Sequence, residues 1–75
     1  MDSVMDRAVT RERLEQAEQH VSDGERQVAR LRDMFTETRR QGHEIQPVLN
    51  LLHQFEQALA SHIANRDRLR KELGG

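Results

Sequence analysis

Two histidines, His20 and His62, fall at one level if this chain folds back on itself, and Gly24, Glu25, Arg66 and Asp67 fall with them. Two imidazoles beside carboxylates can ligate a metal ion or pass protons. In a helical seam the same set has a plainer role. One polar layer fixes register and disfavours wrong pairings, with Arg66 satisfied by Glu25 or a neighbouring acid. The spacing favours the plainer role. The Glu-x-x-His of di-iron bundles does not occur, because the residues three before the histidines are Ala17, Arg40, Asn50 and Leu59. There is no His-Glu-x-x-His and no Gly-rich phosphate loop. His43 reads as a turn residue, and His53 with Glu56 reads as a surface pair. Ser3, Ser22 and Ser61 lack the strained turn that makes a nucleophile. No catalytic residue, metal or cofactor is expected.

Any such group must be held by the elements around it, and these follow a seven-residue pattern. In the first half the stripe is Leu14, Ala17, Val21, Gly24, Val28, Leu31, Phe35 and Thr38; in the second it is Val48, Leu52, Phe55, Leu59, His62, Arg66, Leu69 and Leu73. Spacings that alternate three and four place each stripe on one side of a helix that packs on a partner. Between the halves, Gly42-His43-Glu44-Ile45-Gln46-Pro47 has room only for a reversal. The expected fold is all-α, an antiparallel two-helix hairpin resembling a coiled coil. It forms one domain over 1–75, with helix 1 at about 10–40, a turn at 41–46 and helix 2 at about 47–73. Pairing the stripes head to tail sets Gly24 against His62, Val28 against Leu59 and Leu31 against Phe55.

The helix ends are written locally. Thr10 reads as an N-cap followed by Glu12 and Glu15, with Ser3 and Asp6 as a competing, earlier start. Residues 1–9 are expected to be weakly ordered, fraying or extending as a solvated turn or two, because Val4, Met5, Ala8 and Val9 are out of phase with the stripe. Arg39 and Arg40 suit the negative end of the first helix, and Gly42 suits a left-handed stop. Pro47 suits the first position of helix 2, with Gln46 pushed out of the helical region. Ser22-Asp23-Gly24-Glu25 also reads as a capping box with a breaker, which would split helix 1. The unbroken phase of Ala17, Val21, Gly24 and Val28 favours one continuous helix.

Composition closes off several functions. The chain has 75 residues, 12 basic against 13 acidic, no Cys, no Trp and no Tyr. Near-neutral charge gives no general attraction to nucleic acid or to an anionic membrane. Arg26, Arg30, Arg32, Arg39 and Arg40 are interleaved with Glu25, Asp33 and Glu37, the pattern of a solvated ion-paired face. Lack of cysteine removes disulfides and thiolate chemistry and fits a reducing compartment. No apolar run approaches a membrane span, and the N-terminus lacks the features of a signal peptide. A cytoplasmic protein is expected.

Helix 2 is apolar on more than its seam, with Leu49, Leu51, Ala58, Ala60, Ile63 and Ala64 flanking it, while helix 1 adds Ala29 and Met34. One partner helix covers only a narrow strip, so self-association into a four-helix bundle is expected. The candidate interface is Met34, Leu49, Leu51, Ala58 and Ile63. It serves a homodimer and offers a surface to another protein.

Residues 20–69 resemble a group of small bacterial helical-hairpin proteins of uncharacterised function. The matching pieces are His20-Val21, Gly24-Glu25-Arg26, Arg30-Leu31-Arg32, Gly42-His43, Leu51-Leu52, Phe55-Glu56, His62 and Arg66-Asp67-Arg68-Leu69. That group shows an Asp-Thr style cap after Gly-His, where this chain has Glu44-Ile45-Gln46-Pro47. The resemblance implies a fold and no activity. Val48-Leu49-Asn50-Leu51 and His53-Gln54-Phe55-Glu56 are also similar in position to the signature of the helical-hairpin phosphatases of response regulators in sporulating bacteria. The serine and aspartate of that signature, Ser-Gln-Glu-Leu-Asp, are missing. The expected role is a non-enzymatic interaction or regulatory module; the alternative is a regulator or phosphatase of a phosphorelay.

Overall fold

A computed structural model describes the backbone of residues 4–74 and the side chains of residues 6–74. Two helices, α1 (Val4–Arg40) and α2 (Gln46–Gly74), run antiparallel and pack along their lengths. The result is a rod of 60 × 15 × 14 Å. Its radius of gyration is 17.1 Å, against about 11 Å for a compact chain of this length. No helix among the described residues is long and apolar enough to cross a membrane.

The reversal is built as its sequence dictates. The Gly42 N–H donates to the Arg39 carbonyl (3.1 Å) and the His43 N–H to the Thr38 carbonyl (3.1 Å). These are the two bonds of a Schellman stop, which needs a left-handed residue between them. Gly42 supplies it at φ +75°. An alanine there would meet no neighbouring atom, so its cost is purely conformational. Gly42→Ala is expected to lower stability by about 1 kcal/mol, and Gly42→Asn by less. Thermal melts of the two variants check this, and equal melting temperatures would sink it.

Three boundaries differ from the sequence-based expectation. Helix α1 begins at Val4, not near Thr10. Thr10 lies in its second turn, where the hydroxyl donates back to the Asp6 carbonyl at 2.9 Å instead of capping an orphan N–H. The early start has an anchor, because an Arg7 guanidinium N–H donates to the Leu73 carbonyl (3.3 Å) at the end of α2. A cation there meets the negative pole of the second helix. Ser3, the other proposed cap, lies outside the described residues, and Ala8 and Val9 are exposed.

Helix α2 starts at Gln46, one residue earlier than expected, so Pro47 occupies its second position. The Ile45 carbonyl accepts the Leu49 N–H (2.9 Å) and closes the first turn around the proline, which has no donor to lose there. The Gln46 side chain reaches Asn50 at 2.9 Å, which helps to hold Gln46 helical despite the proline after it. Helix α2 ends at Gly74. Helix α1 runs unbroken through Ser22-Asp23-Gly24-Glu25. Instead of capping, Ser22 accepts a bond from Arg26, and Asp23 accepts bonds from Arg26 and Gln19 along the outer surface.

The core is thin. Ala17, Val21, Val28, Leu52 and Leu69 are the buried apolar residues among those described. Leu14, Gly24, Leu31, Phe35, Thr38, Val48, Phe55, Leu59, His62, Arg66 and Leu73 complete the stripe as half-buried neighbours.

Candidate functional site

The polar level of the hairpin is held by α1 around His20–Gly24 and by α2 around Leu59–Arg66. The His20 and His62 rings meet across the seam with centroids 5.1 Å apart and planes tilted by 49°. Pairing the stripes set Gly24 against His62, but the side-chain atoms nearest to Gly24 belong to Leu59, and His62 borders the same hollow. A Cβ built on Gly24 would lie 3.0 Å from Cδ1 of Leu59. Gly24 therefore lets Leu59 approach the backbone of α1, while the His62 ring meets His20 in a tilted contact. Each residue of one helix lies between two of the other, so pairing numbers one to one misplaces contacts by up to a turn.

Arg66 satisfies its charge on its own helix. Its Nε and a terminal nitrogen lie 3.1 and 3.0 Å from one Asp67 carboxylate oxygen. Of the two acids expected for it, the neighbouring one is used, and Glu25 is exposed. Among the described residues no three His, Cys, Asp or Glu side chains are placed to hold a metal ion together. His53 is exposed, and Glu56 pairs with Arg32 of α1 at 3.1 Å instead of with His53. His43 lies exposed in the turn.

A hollow of about 440 Å³ opens beside this level, bordered by His20, Gly24, Gln27, Phe55, Leu59 and His62. A second, of about 250 Å³, continues toward the turn between Leu31, Met34, Leu51 and Phe55. Both lie on one face of the rod. The other face carries the cross-helix ion pairs Arg32–Glu56 (3.1 Å) and Glu18–Arg70 (3.2 Å).

This division separates the five expected interface residues. Met34, Leu51 and Ala58 border the hollows, and Met34 and Leu51 are 47 % and 44 % exposed. Leu49 and Ile63 share a heptad position with Glu56 and Arg70, which puts them on the ion-paired face, half-buried. The single patch expected from the sequence is two patches on opposite faces. The signal was present: positions 49, 56, 63 and 70 form one flank of α2, and 51, 58 and 65 the other.

Comparison with known proteins returns no match to a family model, a curated protein or a solved structure. Neither motif resemblance gains support from it.

Proposed function

We propose that this chain is a non-enzymatic interaction module of the cytoplasm, which acts through helix packing and pairs into a four-helix bundle. One observation carries the reading: apolar surface in excess of what two helices can cover. The buried apolar residues are few, and Met34 and Leu51 stand out into solvent. Exposed apolar side chains grouped on one side of a helix pair are the substrate for helix-against-helix recognition. Glu56 and Arg66 are engaged in ion pairs, and the His20 and His62 rings meet each other, which supports a structural role for these four side chains.

A photo-reactive residue placed at Leu51 in living cells is expected to trap polypeptide adducts. The same residue at Gln57, on the outer ridge of α2, is expected to trap few. Equal labelling at both positions, or none at Leu51, would overturn the proposal. A purified chain that dephosphorylates a phosphorylated receiver domain would replace it with the enzymatic alternative.

A further inference from the structure

We infer that His20 and His62 form a transition-metal site, a pair of imidazoles that bridges the two arms of the hairpin through one Zn²⁺-like divalent ion. Imidazole suits zinc, copper and nickel, and zinc among these favours a tetrahedral site. Two rings on one tetrahedral ion have a defined separation. With nitrogens about 2.05 Å from the ion and about 109° apart, each ring centroid lies about 3.2 Å from it and the centroids about 5.2 Å from each other. The His20 and His62 centroids are 5.1 Å apart. The ring planes meet a second condition. An ion in the plane of both rings must lie where the planes cross, and planes tilted by 49° cross, whereas parallel stacked planes do not. Small corrections of aim are cheap, because the ring torsion of histidine is broad and His20 is exposed.

The surroundings accept a cation. Both rings border the 440 Å³ hollow, which leaves space for the waters that fill the ion's remaining positions. Asp23 borders the same hollow, and the bonds it takes from Gln19 and Arg26 both fall on Oδ1. Its Oδ2 is the acceptor for an ion-bound water, the kind of outer partner that steadies such sites. Arg66 and Arg68 of α2 have their charges matched by Asp67 (3.0 Å) and Glu72 (4.0 Å). The fold also has a use for the bridge. Its buried apolar residues are few, and in a small chain without cysteine a metal ion is the internal staple left. An ion that needs both arms binds the hairpin and not the unfolded chain, so it stabilises the fold by mass action. Two protein ligands instead of three leave the ion exchangeable, so the bridge responds to the free metal concentration.

Imidazole NMR signals of the full chain, followed while Zn²⁺ is added, read every histidine at once. His20 and His62 are expected to shift together and to saturate at one ion per chain, while the exposed His43 and His53 stay unmoved. Zn²⁺ is expected to raise the melting temperature of the same sample. His20→Gln or His62→Gln is expected to abolish both the saturable shift and the rise in melting temperature. His43→Gln combined with His53→Gln is expected to leave both in place. If a glutamine variant loses its helical circular dichroism, the titration of the wild-type chain decides alone. Movement of one ring of the pair without the other, equal movement of all the histidines, or a spectrum unchanged in excess Zn²⁺ overturns the site. Saturation at half an ion per chain overturns the bridge between arms, because the ion is then shared by two molecules.

Discussion

Leu52→Ala is expected to cost the hairpin about 3 kcal/mol, the usual loss for a buried leucine whose site cannot collapse. Leu52 is 8 % exposed and is one of five buried apolar side chains. A chain of this size has roughly 4–11 kcal/mol of stability in all, so a single truncation removes a large share of it. The adjacent change, Leu51→Ala, is expected to behave differently. Leu51 is 44 % exposed in the hairpin, so its truncation costs roughly 0.5 kcal/mol at high dilution. At concentrations where two copies pair, that cost grows, because the lost contact is then between molecules. Urea melts at two concentrations check both statements. Equal losses at Leu51 and Leu52 under dilution would mean that the apolar stripe of α2 is misplaced by one residue, which is a 100° turn of the helix.

The contrast between these neighbours shows which part of the architecture can be read from residue types. Heptad phase is a property of one helix, and the stripes from Leu14 to Phe35 and from Val48 to Leu73 lie buried or half-buried between the helices. The stop at Gly42 was legible for the same reason. The backbone conformation it needs is one that glycine supplies readily. Features that depend on the second helix were not legible. Thr10 looks like a cap only while nothing tells the chain that Arg7 can reach the end of α2. Gln46 looks non-helical only while the Ile45–Leu49 bond across the proline is ignored. The candidate interface was misread for a related reason. Apolar residues near the turn were grouped by distance along the chain, whereas Leu49 and Leu51 differ by 200° around the helix.

The choice of Leu59 over His62 as the neighbour of Gly24 has the sharpest mutational signature. Gly24→Ala is expected to raise stability by about 0.5 kcal/mol. Removing a glycine from a helix interior is worth about 1 kcal/mol, part of which is returned as repacking. The new Cβ would sit 3.0 Å from Cδ1 of Leu59 but 3.7 Å or more from its Cβ and Cγ. A rotation of that methyl into the adjoining hollow, which Leu59 itself borders, relieves the contact. Gly24→Leu leaves no such escape. Its extra carbons wedge the helices apart, at an expected cost of about 3 kcal/mol. Leu59→Ala in the same chain makes room for the new side chain, so the double variant is expected to be more stable than the sum of its parts by 1 kcal/mol or more, a coupling of the size seen between residues in contact. The parallel cycle with His62→Ala is expected to couple weakly. Stronger coupling to His62 than to Leu59 would move the register by most of a turn and separate His20 from His62.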